Sequence, residues 1–130
     1  MIIQALVEDT TLKDALKDLL KNNGMKCYLS QNVEGLLEKS MERLPRAIIL
    51  EENSRKYLQT IDTIRDLRNL FGSFITIILI GKGDPKSRLM GVIDAGADNY
   101  FSYPFDIPLF EDFLSKSTKK EVFHSFKYRH

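Results

Sequence analysis

The chain has 130 residues, 43% of them hydrophobic and 28% charged, and a net charge of +1. That is enough for one domain with a single buried core, and the balance is that of a globular protein, not a disordered or fibrous one. No apolar run approaches the roughly 18 residues that span a membrane, no basic-flanked signal segment is present, and the lone Cys27 excludes an internal disulfide, so the chain reads as cytoplasmic.

In chain order, Ile2–Val7 is an apolar run ending in Glu8 and Asp9, the pattern of a buried strand. A helix is expected over Thr11–Asn22, with Leu12, Ala15, Leu16, Leu19 and Leu20 on one face and Gly24 just past its end. Met25–Leu29 reads as a second strand, and Cys27 as a small apolar residue within it. Asn32 can cap a helix over Val33–Glu42, which Pro45 prevents from continuing. Ala47–Leu50 is apolar without alternation, as a parallel strand covered on both faces must be, and it delivers Glu51 to its carboxyl end.

Beyond a polar stretch from Glu52 to Lys56, the residues Ile61, Ile64, Leu67 and Leu70 recur at helical spacing up to Gly72. Phe74–Ile80 is the most β-prone segment. The turn Gly81-Lys82-Gly83-Asp84-Pro85 then opens a helix with Asp84 at the N-cap and Pro85 at the first position, ending at Gly96. Tyr100–Ser102 is a short strand, and Asp106 can cap a helix to about Ser115 that buries Leu109, Phe110, Phe113 and Leu114. Strands alternating with helices predict an α/β, doubly wound, flavodoxin-like (βα)5 sandwich with a five-stranded parallel sheet in the order 2-1-3-4-5.

The charge is uneven. From Ser115 on, Lys116, Lys119, Lys120, Lys127 and Arg129 stand against Glu121, so this tail carries +4 and residues 1–114 carry −3. A mildly acidic body argues against direct nucleic-acid binding by this domain. The expected division is a domain over 1–115 and a basic tail over 116–130, either a helix extension or a linker.

Glu8, Asp9 and Glu51 fall at the carboxyl ends of neighbouring strands, where such a cluster either holds a hard cation through oxygen ligands or is simply solvated surface. The turn "GKGD" lacks the spacing of a phosphate-cradling loop, and His124 and His130 have no metal-ligand spacing.

Four segments in register, "ALVED", "LPRAIILEEN", "IILIGKGD" and "DAGADNYFSYPFDIPLFEDFL", resemble the receiver domain of bacterial response regulators over about residues 1–115. The resemblance implies a CheY-like fold in which an acidic pair holds Mg²⁺, an Asp ending the third strand accepts phosphate, the residue two further on lends a carbonyl to the metal, and a Thr or Ser and a Lys contact the phosphoryl group. Carried over by position, Glu8 and Asp9 fall on the metal pair and Asn53 on the carbonyl donor. Glu51 stands in place of the phosphoacceptor Asp, Ile80 in place of the Thr or Ser, and Tyr103 in place of the Lys.

Each departure removes a part. Glu51 carries its carboxylate one methylene further into the pocket, beyond the roughly 1 Å that already harms attack geometry. Ile80 cannot donate a hydrogen bond, and Tyr103 supplies no cation for charge-assisted bonding. Phosphoryl transfer is positioning plus electrostatics, so these losses together predict a degenerate receiver. Glu51 as a permanent mimic of the phosphorylated state is an open alternative to a vestigial role.

Tyr100 falls on the aromatic position that receivers rotate inward. With branched Ile80 in the Thr place it is expected to stay in an outward rotamer. Tyr103-Pro104 corresponds to the family's Lys-Pro, whose bond is cis. Lys82, Lys86 and Arg55 are expected on the same edge, able to offset the carboxylates.

The function implied is a non-enzymatic, phosphorylation-independent module of two-component-type signalling that binds a protein partner, or a second copy, through the face formed by the fourth helix, fifth strand and fifth helix. Tyr100, Phe101, Tyr103 and the tail aromatics are its expected anchors. No cofactor is required, and a Mg²⁺ site at Glu8, Asp9 and Asn53 stays open. The alternatives are a working phosphoacceptor receiver and a small Mg²⁺-dependent phosphatase or hydrolase built on Glu8, Asp9 and Glu51.

Overall fold

The computed structural model describes residues 1–52 and 56–127. Its elements are β1 (Ile2–Leu6), α1 (Thr10–Asn22), β2 (Lys26–Ser30), α2 (Val33–Glu42), β3 (Ala47–Glu51), α3 (Tyr57–Phe71), a 3₁₀ turn (Gly72–Phe74), β4 (Thr76–Gly81), α4 (Pro85–Ala95), β5 (Asn99–Ser102) and α5 (Ile107–Lys127). The strands form one parallel sheet in the order β2-β1-β3-β4-β5, as alternation with crossover helices requires.

Because side chains alternate across the sheet, each apolar strand feeds two cores. On one face Ile3, Ala5, Ile49, Ile78, Ile80 and Phe101 pack against Leu12, Leu16 and Leu20 of α1 and Phe110 and Leu114 of α5. On the other, Ile48, Leu50, Ile77, Leu79 and Tyr100 pack against Leu36 of α2, Ile61, Ile64 and Leu67 of α3, and Val92 of α4. The one polar side chain set deep in β1, Gln4, donates from Nε2 to the carbonyls of Lys39 and Arg43 at the end of α2.

Helix ends follow the capping chemistry. Asp9, Asn32, Asp84 and Asp106 each accept a hydrogen bond from a backbone N–H in the first turn of α1, α2, α4 and α5. Gly24, Gly72 and Gly96 take positive φ just past α1, α3 and α4.

Three expectations change. Helix α5 runs to Lys127, the helix extension of the two alternatives for the tail, since nothing between breaks a helix, whereas Leu109 on its first turn is 60% exposed, not buried. Ala15 and Leu70 also face solvent, at the edges of their helices' apolar stripes. Cys27 packs in β2 beside the first core, where burial pushes its thiol above the ordinary range despite the nearby Lys17.

Candidate functional site: the carboxyl edge of the sheet

The edge where β1, β3, β4 and β5 end carries a cavity of about 420 Å³ lined by Asp9, Leu12, Glu51, Glu52, Gly81, Lys82, Gly83, Arg88 and Tyr103. Strand register assembles it. Leu6 pairs with Leu50, Glu51 with Ile80 and Gly81 with Ser102, so the residues following each strand converge.

Glu51 lines this cavity, but its carboxylate is not free within it. Its Oε1 accepts from the backbone N–H of Asp9 (2.9 Å) and of Glu8 (3.2 Å), bracing the β1–α1 connection against the end of β3. The longer side chain reaches sideways to two amides that a strand end otherwise leaves to water.

The acidic pair is similarly committed. Asp9 Oδ1 caps α1 by accepting from the Leu12 N–H (2.9 Å), and its Oδ2 lies 3.9 Å from Lys82 Nζ. Glu8 is exposed and pairs with Lys56 at 3.2 Å. Both ion pairs sit in solvent and contribute little to stability. Glu8, Asp9 and Glu51 thus each face a different partner, and among the described residues no group of three acidic, His or Cys side chains could hold a metal. Asn53 and Arg55 lie outside the described residues, and Lys86 contributes its backbone N–H to the Asp84 cap.

Ile80 is fully buried on the α1/α5 face beside Phe101, away from the cavity. The β4 residue that lines the cavity is Gly81, its last. The sequence placement was therefore one residue early. In a strand a shift of one transfers the side chain to the opposite face.

Tyr100 corrects a second expectation. It is not outward but 4% exposed, in the second core, and Ile80 cannot obstruct it because the two lie on opposite faces. Its hydroxyl accepts from the Gly83 N–H (3.0 Å) and donates to Oε2 of Glu52 (3.3 Å). Burial, and then the Glu52 carboxylate, hold its phenol above the ordinary range, against the lowering influence of the Gly83 N–H and Arg88. Glu52, expected in a polar loop, is only 5% exposed; its backbone N–H donates to the Ile80 carbonyl, and its Oε1 finds no partner among the described residues.

Tyr103 is half-buried on the cavity wall, its N–H donating to the Gly81 carbonyl and its ring 6.0 Å from that of Phe105. The Tyr103-Pro104 bond is cis. Arg88, which sequence reasoning passed over, lines the cavity with its guanidinium 5.0 Å from the centre of the Tyr57 ring. Nothing in the order of residues joins Arg88 to Tyr57 of α3; only the packing of α3 on α4 does. Glu52 had a local signal, a second carboxylate directly after a buried strand, but its burial depends on Tyr100 far along the chain.

No family model matches the chain. The curated relatives it resembles include the KDP operon transcriptional regulatory protein KdpE of Escherichia coli (strain K12), 34% identical over 104 residues, covering 78% of this chain and 44% of the relative. Among solved structures, NtrX from Brucella abortus superposes with a TM-score of 0.84 at 13% identity over 98% of this chain and 28% of that one. A two-component response regulator from Clostridium difficile gives 0.79 at 18% identity over 92% of this chain and 96% of that one. The fold is that of CheY-like response regulator receivers. The relatives, of which this chain spans less than half the length, support a receiver domain for the sequence as well. In this chain the edge that lines the cavity carries Glu51, Gly81 and Tyr103, with Tyr100 packed behind it.

Proposed function

We propose that this receiver works without accepting a phosphoryl group, as a non-enzymatic module of two-component-type signalling that binds a protein partner or a second copy through α4, β5 and α5. The observation that carries the reading is the tie from Glu51 Oε1 to the N–H groups of Glu8 and Asp9. A carboxylate engaged with two amides is held off the line of attack, and phosphoryl transfer tolerates little misplacement. Tyr103 supplies no cation and Gly81 no side-chain hydroxyl, so the two contacts that the resemblance implies for a phosphoryl group are missing, although Lys82 and Arg88 also line the cavity.

The anchors of the binding face differ from those expected. Tyr100 and Phe101 are buried, the tail aromatics lie outside the described side chains, and among the described residues the large exposed apolar side chains of α4 and α5 are Met90, Ile93, Ile107 and Leu109. A cytoplasmic location belongs to the proposal; no helix of the described residues is long and apolar enough to cross a membrane. The division into a domain over 1–115 and a basic tail over 116–130 belongs to the same proposal, with nucleic-acid contact falling outside this domain.

Incubating the chain with Mg²⁺ and acetyl phosphate tests the reading by intact mass. The expected outcome is no added phosphoryl group. A stable gain of one that disappears in Glu51→Ala restores a working phosphoacceptor. Hydrolysis of a generic phosphate ester by the purified chain would favour instead a Mg²⁺-dependent hydrolase built on Glu8, Asp9 and Glu51.

A further inference from the structure

Gly81 and Gly83 are glycines for want of space, not for backbone freedom, since the positive-φ glycines among the described residues are Gly24, Gly72 and Gly96. A β-carbon on Gly81 would stand 2.5 Å from the Tyr100 hydroxyl and 2.9 Å from Glu52 Oε2. One on Gly83 would stand 3.2 Å from the same hydroxyl and 3.1 Å from the Arg88 side chain. Two residues without side chains thus form a socket, and the phenol that fills it is held at both ends of its hydrogen-bonding capacity, by the Gly83 N–H and by Glu52. The socket is braced from behind: Ser102 Oγ donates to the Gly83 carbonyl at 3.1 Å, and the Tyr103 N–H donates to the Gly81 carbonyl.

We infer that Gly81 and Glu52 are positioning residues that lock Tyr100 inward permanently, so that the β4–α4 connection and the face it leads to exist in one state regardless of what occupies the cavity. The inference rests on the phosphorylation-independent reading and gives it a mechanism. A side chain at position 81 would have to move before the phenol could enter, whereas glycine leaves the socket open at all times. Glu52 supplies a buried acceptor within the fold, and a buried carboxylate is stable only while its donor stays in place, so expelling Tyr100 would strand it. Both effects favour the same conformer.

The test uses the full chain with ring-¹³C-labelled tyrosine, the Tyr100 signals being assigned from Tyr100→Phe, and reads exposure from relaxation by a soluble paramagnetic agent. In the unsubstituted chain, Tyr100 is expected to give one set of signals, protected from the agent and unchanged by Mg²⁺ and acetyl phosphate. Gly81→Ala and Gly81→Thr are expected to raise its relaxation several-fold, toward that of an exposed ring. Glu52→Gln, which keeps an acceptor oxygen, should preserve protection that Glu52→Ala loses. Protection unaltered in both Gly81→Ala and Glu52→Ala overturns the lock, as do two interconverting Tyr100 populations in the unsubstituted chain. If the position-81 variants do not fold, the Glu52 pair and the unsubstituted chain still decide. A phosphoryl mass gain with Tyr100 unmoved would remove the functional reading alone, whereas Tyr100 exchange without such a gain would remove this inference alone.

Discussion

Glu51, Glu52 and Tyr100 show how far a residue's chemistry depends on where its neighbours stand. Glu51 was legible as the end of a buried strand and as a departure from aspartate, but not as a brace for the β1–α1 amides, because those amides belong to residues 8 and 9. Tyr100 was legible as a position of interest and misjudged in orientation, since the face on which Ile80 lies follows from register and not from composition. Its environment makes a measurable prediction. The folded chain holds the Tyr100 proton more tightly than the unfolded chain, whose tyrosines ionise near the reference value of 10.0. Tyr100's contribution to stability is therefore full below that pH and is lost as pH rises through its folded value. In an alkaline titration Tyr100 is expected to ionise above the reference value of 10.0, and Tyr100→Phe should flatten the loss of stability above pH 10. Chemical denaturation across that range checks the sign.

The elements were mostly legible because each local signal agreed with the fold: continuous apolar runs for strands, Asp or Asn at helix starts, glycine at helix ends. Helix α5 was underestimated because its apolar period stops at Leu114, while Lys and Glu, good helix formers, carry the backbone on to Lys127. What no local pattern showed is the bracket made by Arg68 near the end of α3. Its guanidinium donates five hydrogen bonds: to the Gly96 carbonyl twice, at 3.0 and 2.6 Å, to those of Gly72 and Ile75, each at 2.8 Å, and to Asp98 Oδ2 at 3.0 Å. It thereby joins the C-terminal ends of α3 and α4 to the start of β4. Truncating it strands three carbonyls, and Arg68→Ala is expected to cost about 2–3 kcal/mol. Arg68→Lys should recover less than half of that, because an ammonium cannot span the same fork. Urea midpoints at constant slope measure both.

At the scale of the whole molecule, one sheet with a core on each face should unfold as one unit. Phe110 is the largest fully buried side chain, its ring 5.1 Å from that of Phe101 and 4.9 Å from that of Phe105. Phe110→Ala is expected to lower stability by about 3–5 kcal/mol while Leu67→Ala, on the opposite face, lowers it by about 2–5 kcal/mol. Both should keep a single calorimetric transition; two transitions in either variant would mean that the faces unfold separately. The sequence by itself determined the alternation of strands and helices, and with it a parallel sheet and the edge where function gathers, because apolar periodicity and turn chemistry are local and survive without knowledge of contacts. Only the tertiary structure decided the state of that edge. Which of Ile80 and Gly81 lines the cavity, where Glu51 turns, and what holds Tyr100 inward all depend on strand register and on pairs brought together from distant parts of the chain, and no local pattern encodes those distances.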